Sequence, residues 1–172
     1  MTHTSGLPAY ADANMLKKKY GAPNRDGLID YIAHCKRNFA PGSDMTYSCL
    51  NFITLQRIIE TVSGEDLQQY AHHHVFDVLG MKNTDYNPSK EMAKRCAPTE
   101  KQANGKCLLG YVHDPLAGIM NGGISGNAGV FTTADDVAIL CAALQNGGEW
   151  NGHRILSPLA VKAMRTVPRA RA

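Results

Sequence analysis

A chain of 172 residues, 44% hydrophobic and 19% charged, has ordinary globular composition, enough for one core and too little for two comfortable domains. The net charge is +3 and the basic residues are scattered, which argues against a nucleic-acid surface; Lys17-Lys18-Lys19 reads as a solvated helix end. No run is apolar and long enough to cross a bilayer, and Met1-Thr2-His3-Thr4-Ser5-Gly6 lacks the charged-then-apolar layout of a signal peptide.

The stretch from Thr2 to Pro8 reads as a loop punctuated by Gly6 and Pro8. Asn24 can cap a helix from Arg25 to about Lys36, with Leu28, Ile29, Ile32 and Cys35 on one stripe. Pro41-Gly42-Ser43-Asp44 then breaks the chain. The strongest helix runs from Tyr47 to about Val62, because Phe52, Leu55, Ile59 and Val62 recur at three- and four-residue steps; Ser63-Gly64 ends it. A shorter helix from Glu65 to about Val75 places Leu67, Tyr70 and His74 on one side. Between Gly80 and Gly129 prolines, asparagines and glycines imply long ordered loops with short strands at most. Thr133-Ala134-Asp135-Asp136 opens a helix to about Gln145, with Val137, Leu140 and Leu144 inward, and Ser157-Pro158 starts a last short one.

The five cysteines (Cys35, Cys49, Cys96, Cys107, Cys141) are odd in number and without CxxC spacing, which speaks against a zinc framework or a disulfide scaffold. Cys35 and Cys141 fall on apolar helical faces, where buried free thiols are common. His72-His73-His74 point three ways on a helix and cannot share one ion without distortion; His3, His113 and His153 stand alone. No metal and no organic cofactor is implied.

Complete catalytic sets are absent: there is no GxSxG elbow, P-loop or HExxH, and no serine is followed three residues later by lysine. What remains is Tyr47-Ser48-Cys49 at the head of the best helix. A phenol there faces unpaired amides and the positive dipole end, a route to a lowered pKa and to proton transfer, although spacing alone favours a ring packed under a loop.

Six pieces carry a family resemblance. Thr2-His3-Thr4-Ser5-Gly6-Leu7-Pro8 resembles the "THTSGLP" loop of class C-like β-lactamases and related esterases and peptidases. Phe39-Ala40-Pro41-Gly42-Ser43 followed by Tyr47-Ser48-Cys49-Leu50-Asn51-Phe52 is similar to the stretch with that family's second catalytic box. Ile58–Gly64, Val75–Thr84, the glycine-rich Gly122–Asp136 and Gly152–Pro158 match further family segments in the family's order.

The resemblance implies a serine hydrolase acting through an acyl-enzyme on a small acyl, peptide or lactam substrate. In relatives an SxxK box supplies the acylated serine and a lysine, a YxN box the tyrosine, and a KTG or HTG strand flanks the pocket. Only the second is represented here, so the expectation is a single partial domain, residues 1–172. It would be a central segment, inactive alone and prone to self-association through faces left uncovered. The expected fold is mainly α with long ordered loops, the helical region of the β-lactamase/transpeptidase-like α/β fold with most of its antiparallel sheet missing. By the resemblance Tyr47 carries the nucleophile's proton, and Cys49, Gly123, Ser125 and Asn127 contact substrate. Cys49 replaces the usual asparagine, and a thiol is a poorer hydrogen-bonding group than an amide. That puts penicillin hydrolysis in doubt in favour of an ester or peptide-like substrate. Asn127 replaces a histidine, a difference in specificity or simply in loop structure. Relatives are often periplasmic. The alternative is a non-catalytic protein of the same fold that recognises cell-wall peptide or a protein partner.

Overall fold

In the computed structural model, which describes residues 2–166, the first helix, α1 (Ala13–Tyr20), starts where no apolar stripe announced one. Asp12 makes it possible: its carboxylate accepts the Asn14 and Met15 amides at 2.8 and 3.0 Å. The helix buries Ala13 and Leu16 and carries Lys17, Lys18 and Lys19 in its last turn, where cations suit the dipole. α2 (Arg25–His34) starts at the expected Asn24, whose side chain accepts the Gly27 amide at 2.7 Å, and ends two residues before the expected stop.

α3 (Cys49–Ser63) closes on Gly64, left-handed at φ 76°. It begins two residues later than its apolar pattern suggests, and its inward face is a different one. Leu50, Ile53 and Gln56 are buried, Phe52, Leu55 and Ile59 are half-buried, and Val62 is 83% exposed. The apolar stripe was misleading because the buried face contains a glutamine, which no hydrophobic count scores.

By its packing the chain gathers into two units, Met1–Gln69 with Tyr86–Phe131, and Tyr70–Asp85 with Thr132–Ala172. In the first, Leu7, Leu16, Leu28, Ile32, Leu50, Ile53, Leu116 and Met120 form one core, the last two contributed by a π-helical turn, Leu116–Met120. Burying each of these large side chains is worth about 1.5–3 kcal/mol. The unit also holds a two-residue antiparallel hairpin that pairs Glu100 with Leu108 and Lys101 with Cys107.

Leu67–Ala71 is α-helical, His72–Phe76 widens into a π turn, and Asp77–Leu79 returns to α. In the second unit, α4 (Ala134–Gln145) is capped by Thr133, which accepts the Asp136 amide. Asp136 is buried and accepts from the Asn83 amide (2.7 Å) and the Thr84 hydroxyl (2.8 Å). Val137, expected inward, is 41% exposed, because that turn buries the carboxylate instead. Cys141 is likewise exposed and Cys35 only half-buried. α5 (Pro158–Arg165) starts at its serine–proline signal. Every strand among the described residues is two residues long, so the structure is mainly helical with ordered loops.

Candidate active site

Tyr47 stands two residues ahead of α3, and Ser48 between them is the N-cap. The serine is buried and directs its hydroxyl to the Pro8 carbonyl (2.5 Å) rather than to the helix amides. The Ser48 amide donates to His3 Nδ1 (3.1 Å) and the Cys49 amide to the Ala9 carbonyl (2.8 Å). Two donors at the mouth of α3 are therefore already satisfied by protein acceptors, where the sequence implied open amides for an anion.

The Tyr47 ring is 59% exposed. Its pKa lies above the ordinary phenol value, not below it. The charge of Cys49 is the largest cause, followed by a side-chain hydrogen bond with Cys49, slight burial, and the charge of Asp114. The direction is thus opposite to the lowered pKa expected at a helix start.

Beside Tyr47 and Cys49 a cavity of about 570 Å³ opens, walled by Ala9–Asn14 and Asp114–Leu116. Its wall includes Asp12 and Asp114 and no lysine or arginine. Asp12 is held by capping α1, and Asp114 Oδ1 accepts the Ala117 amide at 2.8 Å.

Gly123, Ser125 and Asn127 do not line this cavity. Gly123 sits at φ 91°, and a Cβ there would fall 1.9 Å from Asn87 Oδ1. Ser125 is 1% exposed; its hydroxyl donates to Asn127 Oδ1 and accepts from Asn121 Nδ2, both at 2.6 Å. Asn127 Nδ2 is buried without a hydrogen-bond partner. This loop is sewn to α3 through Gln56, which accepts from the Gly126 amide (3.0 Å) and Asn121 Nδ2 (3.3 Å) and donates to the Ile124 carbonyl (3.2 Å) and Glu60 (2.9 Å). Glu60 pairs in turn with Arg25 at 3.4 Å. Gln56 lies seven residues along α3 from Cys49, about 10 Å at 1.5 Å per residue. The structure thus brings Tyr47 and Cys49 together, and the loop that carries the other three meets a later turn of the same helix through Ile124 and Gly126.

Sequence reasoning passed over His3, Asn51 and Gln56. For Gln56 the available signal was a polar residue one helical step from Ile53 on what proves to be the core face. Among the described residues no group of three or more His, Cys, Asp or Glu side chains is arranged to hold a metal ion, and no helix is long and apolar enough to cross a membrane.

The family model described as Beta-lactamase matches residues 1–172. An N-acetylmuramyl-L-alanine amidase of Bacillus subtilis is 31% identical over 166 residues, covering 87% of this chain and 38% of the relative. Among solved structures, an octameric penicillin-binding protein homologue from Pyrococcus abyssi superimposes with a TM-score of 0.67 at 21% identity, over 96% of this chain and 37% of its own. A β-lactamase/D-alanine carboxypeptidase from Pseudomonas syringae gives 0.66 at 20% identity, over 93% and 39%. At such identities the structures speak for the fold alone, and the chain spans about two fifths of the length of these relatives.

Proposed function

The chain belongs to the β-lactamase family, and from that premise we propose that residues 1–172 are a single partial domain of a serine hydrolase, with Tyr47 as its proton carrier. The observation that carries the reading is the placement of Tyr47: an exposed phenol at the head of α3, on the wall of a cavity large enough for an acyl group. The attacking serine and its lysine belong to sequence beyond these residues, so the segment is inactive by itself.

The chemistry divides an acyl transfer into two displacements. The serine hydroxyl adds to an amide, ester or lactam carbonyl while Tyr47, as the phenolate, takes its proton. Tyr47 returns that proton to the departing nitrogen or oxygen as the carbonyl bond to it breaks, leaving an acyl-serine. Water then adds, Tyr47 relays its proton to the serine oxygen, and the acid is released. Cys49 and Asp114 raise the phenol pKa, so a base role requires a cation beside it, the part assigned to the missing lysine. The amidase named among the relatives supports an amide substrate, and the thiol at Cys49 favours an ester or peptide-like one over penicillin. Gly123, Ser125 and Asn127 form a second group of proposed substrate contacts, one that needs its hydrogen bonds rearranged before it can reach a ligand.

Tyr47→Phe in the enzyme that supplies SxxK should cut turnover of a chromogenic ester or cephalosporin by about 10²–10⁴-fold, the usual span for a lost general acid–base. Unchanged turnover would remove Tyr47 from the mechanism. A second reading, a non-catalytic protein recognising cell-wall peptide or a partner, is favoured by Cys49 standing in place of an amide. It takes over if no SxxK is encoded alongside this segment.

A further inference from the structure

His3 holds Tyr47 from both sides in sequence and from one face in space. The Thr46 amide, just before the tyrosine, donates to the His3 carbonyl at 3.1 Å. The Ser48 amide, just after it, donates to His3 Nδ1 at 3.1 Å. The imidazole itself lies against the phenol ring, centroids 4.6 Å apart and planes tilted by 37°, and the Phe52 ring centroid is 5.4 Å from it. His3 takes a left-handed backbone, φ 58°, uncommon for a residue with a side chain.

The ring's proton can be assigned from its partners. Ser5 Oγ donates to Asn51 Oδ1 at 2.6 Å, which turns the Asn51 amide so that its NH₂ faces His3 Nδ1 at 3.2 Å. The Ser48 amide can only donate, so Nδ1 is an acceptor and the neutral ring carries its hydrogen on Nε2, with the Asn51 amide nitrogen close to the same acceptor. A nitrogen so occupied is a fixed acceptor rather than a proton relay.

We propose that His3 is a positioning residue for Tyr47, setting the angle at which the phenol faces the cavity; the catalytic part of this inference rests on the reading of Tyr47 as proton carrier. Aromatic packing and backbone anchoring act together, so each can be removed separately. His3→Phe keeps a ring and loses the acceptor; His3→Asn keeps a short acceptor and loses the ring; His3→Ala loses both.

The test has two arms. On the 172-residue chain, NMR with ¹⁵N-histidine should find Nδ1 unprotonated and Nε2 protonated, and each variant should shift the Tyr47 ring resonances while core methyls of Leu16 and Leu28 stay in place. A protonated Nδ1, or Tyr47 resonances indifferent to all three variants, would overturn the proposal. Should His3→Ala fail to fold, His3→Asn and His3→Phe still decide it. In the active enzyme, His3→Ala should lower the acylation rate constant roughly 10²-fold with little change in KM, the cost of about 1 Å of misplacement. In a Tyr47→Phe background the same change should cost nothing more. Equal losses in both backgrounds would mean that His3 acts other than through Tyr47. If Tyr47→Phe by itself is silent, the reading of Tyr47 as proton carrier fails, and the NMR arm still judges whether His3 orients the ring.

Discussion

Tyr47 and His72 show how neighbours, rather than residue type, set what a titratable group does. Tyr47 has a thiol and a carboxylate near it, and its pKa is raised. His72 has a carboxylate at each ring nitrogen, Asp77 at 3.0 Å from Nδ1 and Asp85 at 3.1 Å from Nε2. Burial lowers its pKa and is the largest single influence, but the hydrogen bonds and charges of Asp77 and Asp85 together outweigh it, and the pKa is raised. In the protonated ring both nitrogens can donate, one to each carboxylate. A folded pKa above the unfolded value of 6.5 gives stability that is fully present below pH 6.5 and is lost as pH rises through the folded value. Thermal melts of the chain should therefore fall in midpoint on going upward from about pH 6.5, and His72→Gln should flatten that slope; an identical slope in the variant would contradict the assignment. The sequence displayed three adjacent histidines and suggested only that they point apart. That Asp85, thirteen residues on, returns to one of them depends on a turn that no periodicity encodes.

Among the elements, α3 carries most of the candidate site, with Tyr47 and Cys49 at its mouth and the glycine-rich loop along its later turns. The loop approaches so closely that a Cβ on Gly126 would lie 2.2 Å from the Phe52 carbonyl oxygen. Backbone cannot yield there as a flexible side chain would, so Gly126→Ala should destabilise the fold by about 1–3 kcal/mol, read as a lowered urea midpoint at unchanged m-value. An unaltered midpoint would mean that the loop does not sit on α3. The helices at Arg25, Ala134 and Pro158 were legible because Asn24, Thr133 and Ser157 are side-chain caps with local signatures. α1 escaped because it buries only two apolar residues, Ala13 and Leu16, and its start rests on a single aspartate. The inward face of α3 was misjudged because Gln56 is buried by four hydrogen bonds, a gain that hydrophobic counting scores as a cost. His3 was hidden for a similar reason: its partners Tyr47, Ser48 and Asn51 lie more than forty residues away.

At the scale of the molecule, large apolar side chains remain open to solvent, with Val62 at 83%, Leu159 at 77% and Tyr10 at 68% exposed. We propose that such side chains promote self-association, so sedimentation velocity on the 172-residue chain should show a weight-average mass that grows with concentration. A concentration-independent monomer with a sharp cooperative melt would contradict this. The family match runs the length of the chain, while the chain covers 38% of the Bacillus subtilis relative, and the proposed reaction accordingly draws its serine from elsewhere. Its most direct test is covalent labelling of the enzyme containing SxxK by a fluorescent penicillin or fluorophosphonate, with the modified residue located by mass spectrometry and the labelling rate compared in Tyr47→Phe. The account predicts an adduct on the SxxK serine that forms at least 100-fold more slowly in the variant, a reduction at the low end of general acid–base effects. An adduct formed at the same rate without the phenol, or none in the unmodified protein, would contradict it.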